Sequence, residues 1–325
     1  MISLVSKIWK VIMNPSKVID CLRYKYMLRN ANTLELCDYL YKRTFKRKIN
    51  WDNPEDLNQW IAWLQFKTDT TLWTTLADKY RMHDYLKEKG FGEYLVPVLA
   101  KWDSADDIDF TNLPDSFVLK CNNGSGDVRI VTDKSKTDIA EIIEYFREQM
   151  SRDFGRESAE PHYRRIKPLI IAEKLLDTSC QSIESSSLID YKFWCFNGKV
   201  NHIFVCSDRT KQHFTVDLYD ASWNQISEGN LNFDEQHLCA QKRMPMPSNF
   251  YKMKAIASEL SKGFPQIRID FYEVNNKIYI GELTLTSMCG RMGYFTDKCL
   301  IEMGKLCNEA VKELKIHENK YKMNI

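Results

Sequence analysis

The 325-residue chain has ten cysteines but no CxxC pair, no GK[ST] phosphate loop, no internal repeat and no low-complexity tract. Each absence removes a class. Without paired cysteines there is no signature of a zinc site or a disulfide framework. Cys121, Cys195 and Cys206 instead lie inside strand-like runs, where a thiol acts as a small hydrophobe, so the expected setting is a reducing cytoplasm. Without GK[ST], a Walker-type nucleotide loop is excluded. No Ser/His/Asp arrangement suggests a nucleophilic hydrolase. Global charge is also lacking: a net +2 offers no argument for nucleic acid. With 44% hydrophobic and 28% charged residues, the composition is that of a soluble globular protein of two compact lobes or one large domain.

Long hydrophobic runs are missing too. Residues Met1 to Met13 are apolar apart from Ser3, Ser6, Lys7 and Lys10, but too short to span a bilayer. They show no small-residue cleavage pattern, so no signal peptide is expected. An interfacial amphipathic helix and a helix packed on the protein's own core are both open readings. Charge is uneven: residues 1–50 carry eleven Lys/Arg against three Asp/Glu, a basic end suited to an anionic membrane surface.

Periodicity predicts a mostly helical region up to about residue 95, with helices over Glu55–Leu64 and Thr71–Glu88, Asn53 as a cap and Gly90 as a stop. Strands are predicted at Tyr94–Leu99, Phe117–Cys121 and Val128–Val131, then a helix at Thr137–Met150. Residues 151–167 are charged and aperiodic and read as a mobile loop or linker. Further strands are predicted at Leu169–Glu173, Tyr191–Phe196, Val200–Cys206 and Phe214–Tyr219, followed by a hairpin over 267–285 and a helix from Lys298 to Leu314. This mixture points to an α+β or α/β fold.

The most telling stretch is the hairpin Arg268-Ile269-Asp270-Phe271-Tyr272-Glu273-Val274-Asn275-Asn276-Lys277-Ile278-Tyr279-Ile280-Gly281-Glu282-Leu283-Thr284. It sets two carboxylates on otherwise apolar strands. Buried carboxylates are costly unless paired or metal-bound, and two beside an arginine suggest a magnesium–phosphate site. Parity constrains it. A two-residue loop at Asn275-Asn276 would leave Asp270 and Glu282 on opposite faces. A three-residue loop, Asn275 to Lys277, or a bulge would bring Arg268, Asp270, Glu282 and Thr284 to one face. The competing reading is a hairpin with solvated charges.

Three further pieces are individually weak. Phe117 to Lys120 is a strand ending in a lysine, followed by Asn122-Asn123-Gly124-Ser125-Gly126, whose backbone N–H groups could converge on an anion or simply form a tight turn. Leu169 to Glu173 is an apolar strand running into a polar break. Asp190 and Lys192 share a strand face before an Asn197-Gly198 turn, where an ordinary surface ion pair is one reading.

Taken in order, these pieces resemble the ATP-grasp superfamily. The upstream runs Ile49-Asn50-Trp51-Asp52-Asn53-Pro54, Leu76-Ala77-Asp78-Lys79-Tyr80-Arg81 and Leu113 to Asn122 sharpen the resemblance to the TupA-like ATP-grasp family, named for a teichuronopeptide biosynthesis protein. It covers roughly residues 40–310. It implies an α+β ATP-grasp fold of two lobes sandwiching ATP: a helical N-terminal region over 1–75, a small lobe over 76–167 and a large lobe over 168–325. It implies that Lys79 and Lys120 bind ATP phosphates and that Gly124, Ser125 and Gly126 cover them. It places Glu173 and Leu175 at an adenine hinge, with Asp190 and Lys192 near the nucleotide. Asp270 and Glu282 would bind Mg2+, with Thr284 in the place of a third ligand, and Arg268 would offset charge on the transferring phosphoryl group. Arg291, in the loop after the hairpin, would hold an acceptor carboxylate.

The activity implied is carboxylate–amine ligation through an acylphosphate. The implied partners are a uronic-acid glycan or its lipid-linked precursor, and an amino acid or amine, at the cytoplasmic face of a membrane. Two other classes stay in view. Asp107-Ile108-Asp109 matches the Asp-x-Asp string of metal-dependent glycosyltransferases, although no strand leads into it. A non-catalytic relative of the same fold is the third.

Overall fold

A computed structural model describes residues 15–318. The apolar segment before Pro15 lies outside the described residues. Helices α1 (Pro15–Asn30), α2 (Thr33–Phe45), α3 (Leu57–Lys67), α4 (Thr71–Ala77) and α5 (Arg81–Glu88) come first. Strands β1 (Val98–Trp102), β2 (Phe117–Cys121) and β3 (Val128–Val131), helices α6 (Ile139–Ser151) and α7 (Phe154–Ser158), and strand β4 (Ile170–Lys174) follow. The remainder is β5 (Asp190–Phe196), β6 (Lys199–Ser207), β7 (Phe214–Asp220), β8 (His237–Cys239), α8 (Phe250–Leu260), β9 (Ile267–Val274), β10 (Lys277–Thr284) and α9 (Asp297–Glu313).

The strands form a four-stranded sheet, β1-β4-β2-β3, and a six-stranded sheet, β10-β9-β5-β6-β7-β8. This is the expected α+β architecture. Strand β4, assigned by its position to the large lobe, pairs with both β1 and β2. Helices α3 to α5 share the core of the larger sheet. Leu57, Trp60, Ile61, Trp73, Leu76, Met82 and Leu86 bury into the same core as Phe193, Trp194 and Phe271 of the larger sheet. The apolar faces that mark these helices in the sequence do not say which sheet they cover.

Local chemistry sets the ends of the elements. Asn32 and Glu35 form a reciprocal capping box at the start of α2. Helix α3 is capped by Asp56, which accepts from the Gln59 N–H, and not by Asn53. Residues 151–167 are the larger departure. Glu160 and His162 are buried at 2% and 0% exposure, so this stretch is an inserted segment packed between the helices and not a loose linker. All ten cysteines are free, and Cys121, Cys195 and Cys206 are buried as strand hydrophobes.

Candidate active site

The hairpin β9–β10 resolves the parity problem in a way that joins both options. The turn is the two-residue Asn275-Asn276, with both residues at positive φ (52° and 55°), and Val274 pairs with Lys277. That register alone would put Glu282 on the wrong face. A bulge between Ile280 and Glu282 restores it: beyond Gly281, Glu282 faces Asp270 and Thr284 faces Arg268. The bulged residue is glycine because a Cβ there would lie 2.5 Å from the Tyr272 ring. Three-residue turn geometry is therefore not used; the bulge supplies the missing half-period.

Strand β5 completes the face. Lys192 pairs with Asp270 and Trp194 with Arg268. Arg268 donates from Nε and Nη2 to the two Asp270 oxygens at 2.6 and 2.7 Å, from Nη1 to Ser287 Oγ at 2.8 Å, and from Nη2 to Thr284 Oγ1 at 3.0 Å. Lys192 Nζ lies 2.6 Å from Asp270 and bonds Asp190 as well. Burial pushes the Asp270 carboxyl up, but Arg268 and Lys192 outweigh it and hold the group below its ordinary range. Asp190 goes the other way: burial dominates and raises it. Glu282 is the open member, with a 32% exposed side chain and one 3.7 Å approach from Arg268.

The smaller sheet presents the second set. Lys120 Nζ lies 2.7 Å from Glu173 Oε2. The sequence reading gave these two residues separate roles, and the structure pairs them directly. Leu175 is half-buried just beyond β4. Lys79, between α4 and α5, bonds the Gly124 carbonyl. Burial lowers its pKa, and the nearby charges are Glu282, Lys120, Asp127 and Glu173. Lys79 thus stands where the two sheets' charged faces meet. The Gly124-Ser125-Gly126 loop links β2 and β3. Gly126 has φ +82°, and a Cβ on Gly124 would strike the Asp127 carboxylate.

Arg291 is not on the Asp270 face. Its Nη1 donates to the Ser158 and Cys289 carbonyls, beside buried Glu160. Among residues the sequence reading missed, Asn122 is fully buried and ties the glycine loop to Asp78 (2.9 Å) and to the Leu169 N–H (2.7 Å). Tyr272 shares the face of Asp270, two residues on, and strand parity would have found it. Glu160, bonded to Thr286 Oγ1, and His162 carried no periodic signal. Asp109 spends its carboxylate on Thr111 and Asn112 in an exposed turn, so the Asp-x-Asp string is a turn cap.

A sequence model of the TupA-like ATPgrasp family matches residues 59–307. The chain belongs to the TupA-like ATP-grasp family. As a member of the TupA-like ATP-grasp family it is an ATP-grasp protein, and the two-sheet α+β architecture agrees with that membership. Among solved structures, it is similar to a D-alanine–D-alanine ligase from Bacillus anthracis, at 14% identity and TM-score 0.46, covering 74% of this chain and 69% of that one. It is also similar to the ATP-grasp ligase PsnB with a minimal precursor (12% identity, TM-score 0.40, 78% and 67% covered) and to the D-cycloserine synthetase DcsG (15%, 0.37, 74% and 71%). No curated protein matches the sequence. Among the described residues of this TupA-like ATP-grasp chain, no helix is long and apolar enough to cross a membrane.

Proposed function

We propose that the chain is an ATP- and magnesium-dependent ligase that joins a carboxylate to an amine through an acylphosphate. One observation carries the reading: the Gly281 bulge sets Glu282 opposite Asp270 and Thr284 opposite Arg268 on one face of the larger sheet, with Glu282 the foremost charge near Lys79. Among the described residues no group of three or more His, Cys, Asp or Glu side chains is placed to hold a metal. Two hard carboxylates suit Mg2+, which ordinarily takes one or two carboxylates and completes its shell with waters and substrate phosphates. Asp270 and Glu282 would hold it, with the Thr284 hydroxyl or a water in the third place. When bound, it would offset charge on the nucleotide's phosphates.

In the first step a carboxylate oxygen of one substrate attacks the terminal phosphorus of ATP, and the P–O bond to ADP breaks. Lys79 and Lys120 would hold phosphate oxygens under the Gly124-Ser125-Gly126 loop. Arg268 would offset the charge on the transferring group, and its four hydrogen bonds fix it without reorganisation. The amine lone pair then attacks the acyl carbon, the C–O bond to phosphate breaks, and a proton leaves the nitrogen. No side-chain nucleophile is needed. Glu173, Leu175, Asp190 and Lys192 would line the nucleotide site. Among the described residues only Nη1 of Arg291 is engaged, which leaves donors for an acceptor carboxylate.

The carboxylate is assigned to a uronic acid of a surface polysaccharide or its lipid-linked precursor, and the amine to an amino acid or small amine, in the cytoplasm. The resemblance to the family supports this part. Incubation with ATP, Mg2+, a uronic-acid glycan and an amino-acid pool should yield ADP, phosphate and a new amide. Sugar-nucleotide turnover without ATP consumption would overturn the reading in favour of glycosyl transfer, and absence of nucleotide binding in favour of a non-catalytic relative.

A further inference from the structure

Helix α1 is apolar on two sides, and only one of them is packed among the described residues. Its inner side presents Tyr24, Met27 and Leu28, packed against the core of Leu36, Cys37, Leu40 and Tyr41. The helix is pinned there by Arg156, which donates to the carbonyls of Leu28 (3.0 Å from Nε), Met27 and Ala31 at its C-terminal end. The outer side carries Ile19, Leu22 and Tyr26, spaced three and four apart, at 65, 61 and 64% exposure. Three large apolar side chains in one stripe differ from the isolated exposed hydrophobes normal on a surface.

The stripe has a basic rim. Arg23, Lys25 and Arg29 are all exposed beside it. The acid on this helix, Asp20, is taken by Arg43 at 2.6 Å. We infer that the outer face of α1 is a docking surface for an anionic phospholipid bilayer, with Ile19, Leu22 and Tyr26 entering the interface and Arg23, Lys25 and Arg29 meeting headgroup phosphates. Charge selects this occupant. Residues 1–50 carry eleven Lys/Arg against three Asp/Glu. A second copy in an isologous contact would bring the same basic rim against itself. The segment before Pro15 would add Lys7 and Lys10, again of the same sign. The inference stands on the helix alone and does not require the ligase reading.

The test is co-sedimentation of the full chain with vesicles of phosphatidylglycerol and phosphatidylcholine in equal parts, against vesicles of phosphatidylcholine alone. The chain should pellet with the anionic vesicles only, and added salt should weaken binding. Ile19→Ser/Leu22→Ser/Tyr26→Ser should lower the bound fraction about tenfold or more, with an unchanged melting temperature. Arg23→Gln/Lys25→Gln/Arg29→Gln should do the same while leaving the stripe intact. Absence of sedimentation, or equal sedimentation of either triple variant, would overturn the inference. A lower melting temperature in the serine variant would overturn it in favour of coverage by the chain's own first residues. A dimer in solution that the serine variant dissociates would overturn it in favour of self-association.

Discussion

Asp270 and Glu282 face each other across one hairpin, yet their replacement should have opposite signatures. Asp270 is 1% exposed and receives two bonds from Arg268 and one from Lys192. Removing its carboxylate leaves buried Arg268 with only the 3.7 Å approach of Glu282, and Lys192 with only Asp190. Asp270→Ala should therefore cost about 3–5 kcal/mol, the range for breaking one partner out of a buried pair. Against a domain stability of about 5–15 kcal/mol, that is a large share. Glu282 has one long contact, to Arg268 at 3.7 Å, and a side chain open to solvent. Glu282→Gln should change stability by less than about 1 kcal/mol. Its effect falls on turnover: magnesium-dependent ADP release should drop about a hundredfold or more, the scale on which loss of a single charge-stabilising group is felt. Urea denaturation and a coupled ADP assay on the same preparations measure both. A folded, stable Asp270→Ala variant would refute the account of the buried cluster. Glu282→Gln with unchanged turnover would refute the metal assignment, whatever happens to stability.

Gly281→Ala drives a methyl group into the Tyr272 ring and should destabilise by about 1–3 kcal/mol by urea titration, with part recovered in the Gly281→Ala/Tyr272→Leu double variant. Burial lowers His162 to about 3 and His202 to about 4 against an ordinary 6.5, so the unfolded chain takes up these protons first. Their contribution is complete above that value and is lost as pH falls, at up to about 1.4 kcal/mol per pH unit each. Glu160, which burial raises, acts with the opposite sign. The decisive quantity is therefore the difference in slope between the wild type and His162→Gln, which should be about 1.4 kcal/mol per unit below pH 6.5. Equal slopes would show that His162 titrates normally. Arg291→Ala should raise the acceptor KM with little change in kcat; unchanged kinetics would remove Arg291 from the acceptor site.

The strands were legible wherever alternation was strong. Phe117–Cys121 and Val128–Val131 match to the residue, because each is bounded by turn chemistry that propensity recognises. Pairing was not legible. Strand β4 reads equally well in either sheet, and only its partners β1 and β2 settle which it joins. The insertion carrying Glu160 and His162 was misread because charge and lack of period usually mean solvent. Here the charges are spent internally, as Arg156 on the carbonyls of α1 and Glu160 on Thr286. Such satisfaction is a tertiary property with no local signature.

The hairpin shows how far pattern alone can reach. Parity required an odd residue somewhere between Asp270 and Glu282, and strand physics limited it to the turn or the ladder. Asn275-Asn276 can hold two consecutive positive φ values, which favours a two-residue turn matched to the strand twist. The extra residue is then forced into the ladder, and Gly281 is the position between Ile280 and Glu282 that lacks a Cβ to strike Tyr272. A bulge there also increases the local twist just before Glu282. The irregularity thus sits one residue from the group it re-aims. A three-residue turn would have brought Asp270 and Glu282 to the same face, but with the distortion at the far end of the hairpin. Placing it at Gly281 leaves Tyr279 and Ile280 in regular pairing with Tyr272 and Phe271, so the core-facing half of the hairpin stays in register while the site-facing half turns.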